Sequence, residues 1–226
     1  LEQEADLGTV ESSNTVAVLN YHNKTDNERL NALQKGLALM LITDLSKIET
    51  LYVIERIKMQ ALVDEMNFGE TGLVDPDSAP KVGKLLKAYY VVNGEIKDGS
   101  TREIEIGSYV LDVPFESLKD LEGVQGDLDE LFQIEKDMLF SIIDELKIYV
   151  TAEKRKELMA PLSLSSAALL ALFLGINYSD KGDYTKASEM YEKAIAEDPD
   201  LQPAKDALQE LKDMGLTSDE DISRLE

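Results

Sequence analysis

The sequence predicts an α/β (α+β) three-layer domain with a mixed sheet over residues 15–150, followed by an all-α segment over residues 151–226. Three observations lead there. Short, β-rich apolar runs alternate with helical patterns up to about residue 150. No strand candidate follows Thr151. A tetratricopeptide-like helical spacing runs over residues 168–201.

Residues 1–14 are polar and acidic and read as a tail or tether. Thr15 to Asn20 is a buried strand by its apolar run, and Tyr21 to Asn27 is a polar loop. From Glu28 to Ile48, Leu30, Leu33, Leu37, Met40, Leu41 and Leu45 recur at three and four, the stripe of an amphipathic helix. Leu51 to Glu55 is a second strand. A helix over Arg56 to Phe68 closes at Gly69, and another opens with Asp75 as cap and Pro76 at its first position, continuing through Val82, Leu85 and Leu86. Ala88 to Ile96 is a central strand and Thr101 to Val113 its return, joined by a tight turn over Lys97 to Ser100, where Asp-Gly supplies positive φ. A long helix starts near Gly126 and buries Leu128, Leu131, Phe132, Ile134, Leu139, Ile142, Ile143 and Leu146.

Thr151 caps a charged surface helix, and Pro161 with the serines that follow places the joint between the two parts at 150–162. Counting from Ala168, the chain then carries Leu174, Gly175, Tyr178, Gly182, Ala187, Tyr191, Ala194 and Pro199 at the tetratricopeptide spacing. The small residues let two helices approach, the tyrosines fill the gap between them, and Pro199 ends the second helix. Ala171 stands where a large aromatic is usual. This segment resembles a single tetratricopeptide repeat, with a capping helix at 202–214 built on Ala204, Leu208 and Leu211. One repeat cannot bury its own faces. Leu169, Leu172 and Phe173 must therefore dock on helix 151–160 or the first domain, or receive a partner segment or a second copy.

Composition narrows the function. The chain has 226 residues, 43% of them hydrophobic, and a formal net charge of -22. That balance excludes nucleic acid as main partner and disfavours anionic lipid headgroups. The absence of cysteine removes disulfides and thiolate chemistry. The longest apolar run, Ala167 to Leu174, falls far short of the ~20 residues that span a bilayer. The chain starts at Leu1, which leaves a removed export signal or lipid anchor open.

No catalytic, cofactor or metal site emerges. His22 has no nucleophile or orienting partner in sequence and reads as a loop histidine. Gly69 to Gly72 and Gly123 to Gly126 lack the partners of a phosphate loop and read as turns. The acidic runs Asp198–Asp200 and Ser218–Asp221 lack the ligand pattern of a calcium loop and read as solvated surface. Asn23, Thr25 and Asn27 lie at a strand end, the usual ligand side of such sheets. Capping by Asp26 or Asn27 is the competing explanation.

The run from Val16 to Asn20, Asn23-Lys-Thr25, Lys35 to Leu45, Leu51 to Arg56, Gln60 to Leu62, Gly72 to Asp75, Lys81 to Leu86 and Ala88 to Glu95 resembles the start of a CsgG-type domain. Asp129 to Gln133 and Lys147 to Glu153 fit its closing helix. Curli-secretion, FlgO-type and LpoB-type proteins and the amino-terminal domain of TolB share it. The resemblance implies an exported bacterial protein, often a lipoprotein, acting in the periplasm through contacts with envelope proteins. It carries the expectation of a non-enzymatic adaptor or assembly protein tethered to the outer membrane, without cofactor or metal. The long barrel-forming hairpins of the pore-forming members have no counterpart here, which sets a pore aside. A peptidoglycan-synthase activator, a ligand sensor and self-association stay open.

Overall fold

A computed structural model describes residues 13–54, 78–99 and 103–217. The expected helix at 56–68, its Gly69 stop, the Asp75 cap, most of the tail and the acidic run from Ser218 lie outside them.

The chain builds β1 (Thr15–Val18), β2 (His22–Asn23), α1 (Asn31–Leu45), β3 (Tyr52–Val53), α2 (Ala79–Leu86), β4 (Tyr90–Asp98), β5 (Ile104–Asp112), β6 (Ser117–Asp120) and β7 (Val124–Gly126). There follow α3 (Leu131–Glu145), α4 (Ala152–Leu158), α5 (Ser166–Asp180), α6 (Tyr184–Glu197) and α7 (Gln202–Asp213). The seven strands form one mixed sheet in the order β3-β1-β4-β5-β6, with β2 on β4 and β7 on β5. β1 runs parallel to β3 and β4, and β4 and β5 form a long antiparallel hairpin.

Alternation along the strands sorts the side chains onto two faces. Val16, Val18, Val92, Ile96, Ile106 and Val110 join the core with α1 and α3. Ala17, Leu19, Val91, Leu111 and Val113 pack with Ala79 and Val82 of α2. These are the three expected layers. Helices α5 to α7 add a fourth, because the α1 side of the core continues without a break to Leu172, Tyr191 and Leu211. The core therefore runs through the joint placed at 150–162, where one helix simply follows another.

Three expectations are corrected. The segment Tyr21–Asn27 is not wholly loop: His22 and Asn23 pair in parallel with Glu95 and Ile96. Between the Val18–Val92 and His22–Glu95 pairs the first strand takes four steps to three on β4, and that extra residue makes a bulge. Tyr21, next to it, is fully buried and shares a 2.9 Å hydrogen bond with Ser108 Oγ. Second, the β4–β5 turn is longer than Lys97–Ser100: Lys97 and Asp98 still pair, and Gly99 N donates to Glu103 O at 3.0 Å. Third, Gly123–Gly126 is not only a turn: Val124–Gly126 forms β7, which like β6 runs antiparallel on β5. All four residues of β6 are exposed, so backbone pairing rather than an apolar pattern makes this strand.

Candidate docking groove and a buried charge network

The helical hairpin forms as its small residues require. Ser165 caps α5, its hydroxyl accepting from Ala168 N, and Asp183 caps α6 by accepting from Lys186 N. Gly182 turns between them with φ of 76°. A Cβ on Gly175 would stand 2.4 Å from the Tyr191 ring, so only glycine admits that ring between the helices. Ala187 and Ala194 are fully buried. Tyr178 is half-buried, with the Lys186 ammonium 5.4 Å above its ring centre. Leu174 is exposed, and Pro199 follows the end of α6 on the surface.

Leu169, Leu172 and Phe173 are not a free partner surface. All three are buried, because α5 lies across α1. The Phe173 ring rests on Gly36, and the Lys35 ammonium reaches Asp180 Oδ2 at 2.7 Å. The first domain covers the face through α1, while α4 buries Leu158 in the same core and sets Arg155 over the Phe140 ring of α3 at 4.0 Å.

Where α1, α5, α6 and α7 meet, a groove of about 320 Å³ remains. Its floor is apolar, with Leu39, Leu172, Ile176, Tyr191 and Leu211, and Asp206 and Glu210 stand on the α7 side. A concave apolar floor with a few polar groups at its edge is the usual form of a binding site. The helical spacing indicated Leu172 and Tyr191. Leu39 and Ile176 escaped it, since only the docking of α5 on α1 brings them together.

Elsewhere in the core, α1 and α3 share a buried charge network. Lys136, almost fully buried, contacts Asp44 and lies 3.0 Å from Glu135 Oε2. Lys47 takes the other Asp44 oxygen at 2.5 Å. Neither Glu135 oxygen accepts a well-formed hydrogen bond among the described residues, so the 3.0 Å approach of the Lys136 ammonium lacks hydrogen-bond geometry. Burial, reinforced by the negative charge of Asp44, pushes the Glu135 carboxyl up to about 8 against the pull of Lys136. The sequence held a signal for this: Asp44 sits in the apolar stripe of α1, three after Leu41 and four after Met40.

The strand-end polar residues satisfy one another. Asn23 Oδ1 accepts from Thr25 N and Oγ1, while Asn23 Nδ2 donates to Asn27 O and Asn31 Oδ1. Asn27, not Asp26, is the cap, accepting from Arg29 N at 3.1 Å. His22 is buried within the sheet rather than held in a loop.

Compared with known proteins, residues 2–113 match the family described as the curli production assembly/transport component CsgG. No curated protein sequence matches the chain. Similar solved structures include the LpoB C-terminal domain from Salmonella enterica, 12% identical over 54% of this chain and 85% of that one, with a TM-score of 0.38. TolB from Acinetobacter baumannii is 14% identical over 60% of this chain but only 29% of its own, with a TM-score of 0.38. Lipoprotein GNA1162 from Neisseria meningitidis is 14% identical over 61% of this chain and 99% of its own, with a TM-score of 0.40.

Proposed function

We propose that this chain is a non-enzymatic protein of the bacterial cell envelope, held at the periplasmic side of the outer membrane, that works by docking other proteins. The observation that carries this reading is the match of residues 2–113 to the curli assembly and transport family. The packing of Gly175, Ala187, Tyr191 and Ala194 supports reading the hairpin as one tetratricopeptide repeat whose apolar face is taken up by α1.

The groove between α1 and α5–α7 is the docking surface, and its occupant is a short peptide segment with one apolar anchor flanked by Lys or Arg. Charge complementarity argues for that chemistry: Asp206 and Glu210 rim the apolar floor, on a chain of net charge -22.

The test is site-specific photo-crosslinking from position 214 in native cells, combined with fractionation of the envelope. Met214 lines the groove and is exposed, so a photoreactive residue fits there. The expected result is an adduct with an envelope protein that weakens when Asp206→Lys and Glu210→Lys reverse the rim charge. An adduct that survives the reversal overturns the proposed peptide chemistry. Recovery of the protein solely in the cytoplasm overturns the envelope role.

A further inference from the structure

Away from the docking groove, α3 and α4 line a second one, of about 740 Å³, whose two walls carry opposite charges. Asp137, Ser141 and Asp144 recur at four and three along α3 and so share one face of it. Ala152, Arg155, Lys156 and Met159 stand at helical spacing along the other wall, on α4 and the residue after it. All of these except Ser141 are exposed. Among the described residues no ion pair crosses from the acidic row to the basic one. The pair that α4 does make, Lys154 with Glu157 at 2.7 Å, stays within the helix.

Both rows are fixed in place. Leu158 is fully buried and pins α4 to the core, and the stacking of Arg155 on Phe140 holds the guanidinium at the groove. Charge is even here, two carboxylates against two cations, on a chain whose net charge is -22. Two copies of so acidic a chain repel over most of their surfaces, but not over this one. Rows of opposite sign lying side by side also complement themselves. Half a turn about an axis along the groove lays the acidic row of one copy on the basic row of the other, and makes the same contact again on the opposite side. That self-complementarity is what singles out a second copy as the occupant.

We propose that two copies of this chain pair through the α3–α4 groove about a two-fold axis, Asp137 and Asp144 of each facing Arg155 and Lys156 of the other. Phe140, Ala152 and Met159 supply the apolar contact between the rows. Because α4 has only 7 residues, the interface is small and the dimer dissociates readily. The inference goes beyond the docking reading and stands apart from it, since this groove shares no residue with the one between α1 and α5–α7.

The test is sedimentation velocity on the full chain from micromolar to millimolar concentration. The expected result is a monomer–dimer equilibrium that added salt weakens. An acid-reversed variant, Asp137→Lys with Asp144→Lys, and a base-reversed variant, Arg155→Glu with Lys156→Glu, each set like charges face to face. Each alone should dimerise at least about tenfold more weakly. Mixed in equal amounts, the two should recover dimerisation, because opposite charges then meet on both sides of the axis. A wild-type chain that stays monomeric throughout overturns the proposal. So does a mixture no tighter than its components, and so do dimers that persist in both variants, since the copies then meet elsewhere. Thermal melts of the variants, all at exposed positions, confirm that they fold. None of these positions lines the groove of α5–α7, so failure here leaves the docking reading standing.

Discussion

Gly36 of α1 lies flat against the Phe173 ring of α5: a Cβ at residue 36 would stand 2.2 Å from the nearest ring carbon. Phe173 is fully buried, so the ring has no free space to retreat into. Gly36→Ala tests which effect wins. Alanine gains about 1 kcal/mol of helix propensity over glycine. Overpacking a filled core costs about 1–3 kcal/mol. Net destabilisation is expected, read by chemical denaturation, with amide exchange rising in α5 and α6 before β4 and β5. A more stable variant would show that the two helices slide apart freely.

Lys35 and Asp180 are 145 positions apart and both nearly buried, so their ion pair is the polar part of the same contact. Asp180→Ala leaves an ammonium without its partner and costs about 3–5 kcal/mol. Replacing both, with Lys35→Met and Asp180→Leu, is expected to recover most of that loss, since apolar pairs of similar volume serve as well. A double-mutant cycle on unfolding free energies checks it; equal losses in the single and double variants would refute it.

Stability falls with rising pH through Glu135. Its carboxyl is raised above the unfolded value of 4.5, to about 8. The unfolded chain therefore releases its proton first. This contribution is fully present below about pH 4.5 and is lost as pH climbs through about 8. Melting temperatures between those limits should decline for the wild type, and Glu135→Gln should flatten that part of the profile. Parallel profiles for the two proteins would exclude Glu135 as the source.

Tyr191 and Tyr178 occupy equivalent-looking places in the repeat spacing but differ in burial. Tyr191 is buried against Gly175, whereas Tyr178 is half-buried. Tyr191→Ala should cost about 3–5 kcal/mol, the usual range for a buried aromatic. Tyr178→Ala should cost distinctly less. Equal losses in thermal or denaturant unfolding would contradict this ranking.

The long elements were legible because local periodicity encodes them. The stripe from Leu30 to Leu45 gave α1, and the apolar run from Ala88 gave β4. Thr151 was readable as the cap that receives Lys154 N at 3.1 Å. The docking groove was half legible. Small residues at 175, 187 and 194 specify that two helices cross closely, but carry no information about which surface their outer face meets.

The sequence by itself determined the strands and helices of the mixed sheet and its covering layers, and the close crossing at Gly175, since each follows from spacing over a few turns or strands. Only the tertiary structure decided that Phe173 lies on Gly36, that Asp44 meets Lys136 across 92 positions, and that His22 pairs beside Glu95. It also decided β6, whose exposed residues are ordered by hydrogen bonds to β5 rather than by burial. The reason is physical. Periodicity records that a face is apolar, whereas the partner of that face is set by which surfaces of the whole chain fit together while leaving buried charges paired.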